Sequence, residues 1–457
     1  MDETRPLSVG QESLWLLHKL APDSAAYNLA GGARMAPAPD VPVLARAVRA
    51  LSARHDGLRS VFVEADGRPR RAVLPPEANT LDVRDVPEVD DERLWELVLE
   101  VTREPFALTG TRAGDGPATP FRAVLLRRRE DAVFLMVTHH LVTDATSQWL
   151  LWRDLIAAYE AYATGAEPDM APVRASYDDH VAREARLLDS PSGQRMAGHW
   201  REVRAGSVAA ELPTDRPRPP FQSFQGASVA SRLPDEVAEG VRATAARVGV
   251  SPFAFLLGTF QGLLYRHTGQ PDFTVGCPAS TRRAAAREVV GYYVNPILLR
   301  ARFARATTFA DAAVAANHQV RQGMASAAYP YPLVAREAAG PLFRISVTMV
   351  AADRFGATLE RAVAGEVMHV AGVKMSYMEL PHMEGQCDLT VEFTQDASAL
   401  LVVFRYDTDL FERATVDRLL EHFVRLVEAG VTDPLTKIAK APLVSAAERQ
   451  RLLAMGT

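Results

Sequence analysis

The sequence predicts an α/β (mixed α+β) protein built as two lobes of similar size, and three observations carry that prediction. Apolar runs at helical spacing alternate with short continuous apolar runs along the whole chain. A proline-rich break, Leu212-Pro213-Thr214-Asp215-Arg216-Pro217-Arg218-Pro219-Pro220, falls near the middle, where missing donors and fixed φ stop both helices and inner strands. With 457 residues and 48% apolar composition, the chain is past the size at which one core usually divides.

In chain order, Ser8 is suited to cap a first helix, in which Leu14, Leu17 and Leu20 recur with Trp15 beside them. A second helix is expected over 41–54 with Leu44, Val48 and Leu51 on one face, breaking at Gly57 into an extended segment over 58–64. Val133-Phe134-Leu135-Met136-Val137 reads as a buried strand. After it, Thr146 or Ser147 is expected to cap a helix with Trp149, Trp152, Ile156 and Tyr159 on its apolar face. Residues 1–185 form the expected first lobe, 186–226 a connection, and 227–440 the second lobe. In the second, Ser251-Pro252 opens a helix to about 267, strands follow at 273–277, 343–351, 389–395 and 400–406, and a last helix covers 414–429.

Composition removes several function classes. A net charge of −5 with scattered arginines is no footprint for nucleic acid. The two cysteines, Cys277 and Cys387, make neither a disulfide framework nor a zinc set. The polar N-terminus is unlike a signal peptide, no apolar run reaches membrane-span length, and a cytoplasmic location is expected. Phosphate-loop, zinc-protease and serine-hydrolase elbow motifs are absent.

One run carries chemistry: Val137-Thr138-His139-His140-Leu141-Val142-Thr143-Asp144-Ala145, leaving a strand and entering a helix. It places a proton acceptor and a carboxylate on one turn, which is what activates a neutral nucleophile against an activated carbonyl.

Around that run the chain resembles the condensation domains of nonribosomal peptide synthetases, essentially throughout. Leu7-Ser8-Val9-Gly10-Gln11-Glu12-Ser13-Leu14-Trp15 is similar to the first family motif and Arg54-His55-Asp56-Gly57-Leu58-Arg59-Ser60-Val61-Phe62 to the second. His139-His140 with Asp144 and Ser147 matches the catalytic motif. Tyr177-Asp178-Asp179 resembles the fourth and Gly291-Tyr292-Tyr293-Val294-Asn295 the fifth, while the segments at Pro332 and Pro341-Leu342-Phe343 resemble the rest weakly. The resemblance implies a pseudo-dimer of two chloramphenicol-acetyltransferase-like lobes in a V shape, with the active site at their junction. It implies donor and acceptor carrier proteins that bring thioesters on phosphopantetheine arms, and neither a metal nor a cofactor bound by this chain.

On that resemblance His140 is the catalytic base, the alternative being a polar residue that satisfies loop backbone; His139 holds the turn. Asp144 is expected to turn away and pair with Arg282, which matches the family's partner across the lobe interface; a plain surface arginine is the alternative. Ala145 stands where the family has glycine, so its methyl is expected to narrow the donor side of a substrate tunnel or to require a negative φ. Ser147, Tyr293 and Asn295 are candidates for lining that tunnel, and packing is an equal reading for the last two. Trp149 and Trp152 read as core, Asp56 and Arg59 as shaping the first lobe.

The implied reaction is amide formation between two carrier-bound thioesters, with an L-configured or polyketide-derived donor favoured and epimerisation disfavoured. Ester formation with a hydroxyl nucleophile, or a silent docking platform for carriers or partner enzymes, stay open. The tail over 441–457 resembles a linker to a following adenylation domain, so an excised piece of an assembly line is expected, with a free-standing enzyme as the alternative, monomeric by default.

Overall fold

A computed structural model of the chain describes residues 4–108, 118–220, 222–351, 365–378, 380, 387–395 and 400–444. The tail expected over 441–457 lies outside these residues from 445 onward. No single helix among them is long and apolar enough to cross a membrane.

The described residues divide into two units. The first takes them from Met1–Ser190, Ser280–Val294 and Ala352–Leu380, the second from Pro191–Ala279, Asn295–Ala351 and Pro381–Thr457. The segment carrying Arg282 therefore belongs to the first unit, although it follows the proline-rich break in sequence.

In the first unit, β1 (Arg5–Pro6) leads into α1 (Val9–Leu20). Ser8 closes a capping box with Gln11, a device that contributes about 1 kcal/mol. The buried face of α1 is Gln11, Leu14, Trp15 and His18, whereas Leu17 and Leu20 are exposed. The expected leucine stripe is thus rotated, because Gln11 must point inward to donate to the Leu141 carbonyl at 2.8 Å. Then come β2 (Asn28–Ala36), α2 (Val41–Arg54), the hairpin β3 (Ser60–Ala65) and β4 (Arg68–Val73), β5 (Leu81–Asp85), α3 (Asp91–Arg103), β6 (Phe121–Arg127) and β7 (Ala132–His139). α4 (Ala145–Ala163) and α5 (Tyr177–Leu188) complete the contiguous part.

Strand β7 is buried along its whole length because both faces are covered. Phe134 and Met136 pack with Leu44, Val48, Leu51, Leu151 and Trp152 of α2 and α4. Val133, Leu135 and Val137 alternate to the other face, against Leu14, Trp15, Leu94 and Val98 of α1 and α3.

The second unit opens with α6 (Pro191–Arg204), so the first part of the stretch read as a connection is helical. It continues with β8 (Gly226–Arg232), α7 (Asp235–Val248), α8 (Pro252–Thr268), β9 (Asp272–Ser280), β10 (Val294–Arg302), α9 (Phe309–Ala325), α10 (Tyr331–Ala335) and β11 (Ile345–Ala351). Its sheet has the order β10-β9-β11-β14-β15-β8, adding β14 (Leu389–Gln395) and β15 (Leu400–Asp407), with α11 (Arg413–Thr432) last. Ser251 caps α8 through the Ala254 amide with Pro252 behind it, as the dipeptide predicts.

Between β11 and β14 the chain returns to the first unit. There β12 (Met368–Val370) and β13 (Val373–Met378) extend the first sheet to the order β12-β13-β2-β7-β6-β5, with β13 antiparallel to β2.

Candidate active site

The run from His139 to Asp144 sits where β7 ends and α4 begins. Asp144 has extended backbone and is the N-cap of α4, its carboxylate accepting from the Ser147 amide at 2.7 Å. This replaces the expected cap at Thr146 or Ser147: Ser147 lies inside the first turn, and its hydroxyl is spent on the segment before β10. It donates to the Gly291 carbonyl at 2.9 Å and accepts from the Gly291 amide at 3.1 Å. Ala145 is the first helical residue and is exposed. Its φ is not positive, so the methyl is accommodated without strain.

Asp144 turns into the protein. It also accepts from Arg282 Nη2 at 2.9 and 3.2 Å and from the Tyr293 amide at 3.1 Å. Arg282 Nη2 reaches Ser147 Oγ at 2.8 Å, Nη1 donates to the Ala286 and Val289 carbonyls, and the guanidinium lies 4.2 Å over the Tyr293 ring. The pair is internal to the first unit. Its carboxylate is fully committed, which leaves no lone pair directed at a histidine.

His140 is oriented by the turn itself. Its Nδ1 donates to the Thr143 carbonyl at 2.6 Å, and its own amide donates to the Tyr27 carbonyl at 2.7 Å. A proton on Nδ1 leaves the Nε2 lone pair as an acceptor, and no described residue donates to it. Burial depresses the basicity of His140, outweighing the Thr143 carbonyl and the more distant Asp144 charge, so the ring is neutral at neutral pH. His139, by contrast, is buried, accepts the Leu141 amide at Nδ1, and is pushed by burial to about 3, with the neighbouring His18 and His140 adding to the shift. Its ring packs edge-on against those of His18 and Phe106, so it braces the turn.

The remaining candidates divide. Tyr293 is buried against Tyr177 and His180, its ring centroids 5.2 and 4.9 Å from theirs. Asn295 belongs to the second unit, and its amide is consumed by backbone: Nδ2 donates to the Ala327 and Tyr329 carbonyls, each at 2.8 Å, and Oδ1 accepts the Tyr331 amide at 2.7 Å. Trp152 is buried, while Trp149 is half-buried beside Tyr377, with ring centroids 5.7 Å apart.

Three contributors carried no role in the sequence reading. Tyr292 sets its ring edge-on to His140, with centroids 5.1 Å apart. Gln11 holds the carbonyl of Leu141, one residue past the histidine. Glycine at 291 allows the close packing: a Cβ there would lie 2.2 Å from Tyr177 Cδ2, and the Tyr177 hydroxyl donates to the Tyr292 carbonyl at 2.7 Å. Each residue stands inside a motif visible in the sequence, yet only the folded chain brings the first, third, fourth and fifth motifs together. The second and fourth also meet, where Asp56 and Asp178 share the buried Arg71.

The sequence model of the condensation domain matches residues 1–453. The chain belongs to the condensation-domain family. Among curated relatives, this domain is 29% identical to a linear gramicidin synthase of Brevibacillus parabrevis over 99% of its own length and 6% of the relative's. It is 31% identical to phosphinothricin tripeptide synthetase PhsC of Streptomyces viridochromogenes over 98% of its own length and 41% of the relative's. It thus spans less than half the length of these relatives. Among solved structures it is similar in fold to the X-domain from teicoplanin biosynthesis, with a TM-score of 0.85 at 22% identity, covering 97% of this chain and 98% of that one. The first condensation domain of the CDA synthetase gives a TM-score of 0.79 at 21% identity over 97% and 100%. Among the described residues of this condensation domain, no group of three or more His, Cys, Asp or Glu is placed to hold a metal ion.

Proposed function

We propose that this condensation domain joins a donor acyl thioester on one carrier protein to the amine of an aminoacyl thioester on another, forming an amide in a nonribosomal peptide or hybrid polyketide–peptide assembly line. The observation that carries the reading is the tautomer of His140, whose Nδ1 proton is engaged by the Thr143 carbonyl while Nε2 is left as acceptor. The acceptor amine hydrogen-bonds to Nε2 and attacks the thioester carbonyl carbon, and Nε2 takes the amine proton as the C–N bond forms. Collapse breaks the C–S bond, and the proton passes to the departing phosphopantetheine thiolate. Asp144, Ser147 and Arg282 hold the geometry of the turn, and His139 braces it from behind. Phosphopantetheine arrives on the donor and acceptor carrier proteins, and a following adenylation domain in the same polypeptide is a further partner.

The test is carrier transfer read by intact-protein mass spectrometry, comparing wild type with His140→Ala. Mass moving from donor to acceptor with wild type alone supports the reading. An acceptor presenting a hydroxyl in place of the amine distinguishes ester from amide formation. Carriers that bind without any transfer, across a broad donor panel, would establish a docking platform instead.

A further inference from the structure

Behind the catalytic turn lies a second hydrogen-bonded element that neither the ion pair nor His140 accounts for. Gln148 Nε2 contacts Thr138 Oγ1 at 2.5 Å and the Leu29 carbonyl at 3.4 Å. Thr138 Oγ1 and Thr143 Oγ1 are 2.6 Å apart, and Thr143 Oγ1 donates to the His139 carbonyl at 3.3 Å. Both threonines are wholly buried. Each hydroxyl has one proton, so the direction is determined. Since Thr143 donates to a carbonyl, it accepts from Thr138; Thr138 in turn accepts from the Gln148 amide. The Leu29 carbonyl can only accept, which fixes the amide with its nitrogen inward.

We infer that Thr138, Thr143 and Gln148 are positioning residues for His140, a one-way hydrogen-bond chain that aims the Thr143 carbonyl at Nδ1 and so selects the tautomer whose Nε2 accepts the nucleophile's proton. Thr143 is the link. A buried hydroxyl held on two sides leaves its side chain one χ1 setting, which fixes the residue's own backbone and hence its carbonyl. The carbonyl that receives Nδ1–H is that same residue's. If the clamp is removed, the carbonyl is free to swing, and the ring gains access to the opposite tautomer, in which Nε2 carries a proton and cannot accept another.

The consequence for rate rests on the condensation reading above, while the consequence for the tautomer does not. The experiment therefore has two arms. In the first, the 457-residue chain labelled with 15N-histidine is examined by NMR, with His140 assigned by its loss in His140→Ala. Wild type is expected to show Nδ1 protonated and Nε2 bare, and Thr143→Val a mixture or reversal. Thr143→Ser, which keeps the hydroxyl, is expected to match wild type. In the second arm, Thr143→Val is expected to lower kcat in the carrier assay on the order of tenfold with KM for both carriers unchanged, and Thr143→Ser to restore it. Gln148→Leu removes only the half-buried head of the chain and is expected to shift the same two readouts less. It serves if the buried variant does not fold. A wild-type ring protonated at Nε2, a Thr143→Val tautomer identical to wild type, or a Thr143→Ser variant as impaired as Thr143→Val would each overturn the inference. Absence of transfer by wild type would count against the condensation reading alone, and the NMR arm would still decide this one.

Discussion

Breaking the Asp144–Arg282 pair should cost more than any single hydrogen bond in it, and removing both partners should cost less than the sum of the two single losses. The side chains are 2% and 8% exposed, so neither charge can recover its hydration in place. In Asp144→Ala the guanidinium is stranded beside Tyr293, the Ser147 and Tyr293 amides lose their acceptor, and α4 loses its cap. Leaving one buried charge unpaired costs about 3–5 kcal/mol, and the cap adds about 1 kcal/mol. In Arg282→Met the carboxylate keeps two backbone donors, at 2.7 and 3.1 Å, so the loss belongs at the lower end, about 3 kcal/mol. The double variant carries no stranded charge, and its loss should fall short of the sum by about 2 kcal/mol or more. Urea unfolding of the full chain followed by tryptophan fluorescence, with m held common, measures the cycle. Losses that add to within about 0.5 kcal/mol would refute the coupling and show a pair that water already screens.

Acid should weaken the fold first through its buried histidines. His139 has a folded value near 3 and His180 and His267 near 4, against an ordinary 6.5, so below 6.5 the unfolded chain takes up protons that the folded one refuses. Glu184, raised by burial to about 7, acts in the opposite sense between 7 and 4.5, as do Glu12 and Asp407, both raised by burial, whereas His18, His55, His140 and His199 are lowered by burial and act with the three. At pH 5, His139 alone accounts for about 2 kcal/mol relative to pH 7, and a urea midpoint unchanged or higher at pH 5 would contradict this. Gly291→Ala should destabilise by at least about 2 kcal/mol, because its Cβ would overlap the Tyr177 ring and sever the segment from Ser147; an unaltered Tm would show that the ring yields. Asn295→Ala should lower the Tm by the loss of three hydrogen bonds, one buried and two partly buried, about 2–3 kcal/mol, while the KM for either carrier stays within about twofold. A KM effect without a stability effect would place that side chain on substrate. Ala145→Gly should cost at most about 1 kcal/mol, as glycine does at an exposed helical position, read from the same urea midpoints.

The local elements were legible because their causes are local. The α2 face of Leu44, Val48 and Leu51, the Ser251-Pro252 opening of α8 and the Leu389–Gln395 strand stand where period and capping chemistry put them. The turn through His139 and His140 was legible as well, since a strand that is apolar on both faces gives way there to a polar run. Where the reading failed, the cause lay elsewhere in the chain. α1 turns Leu17 and Leu20 outward because Gln11 is claimed by a carbonyl 130 positions away. Ser147 does not cap α4 because Gly291 and Arg282 take its hydroxyl. For Asn295 the sequence left lining and packing equally open, and its amide is spent on the segment after α9 in its own unit.

The sequence by itself determined the composition class, most helices and strands, and the identity of the histidine motif, all of which rest on interactions within a few residues. Only the tertiary structure decided that the segments 280–294 and 365–378 return to the first unit, and that Asp144 is sealed against Arg282 and turned from His140. Those outcomes depend on which distant groups compete for the same donors and acceptors, and spacing along a chain does not encode that competition.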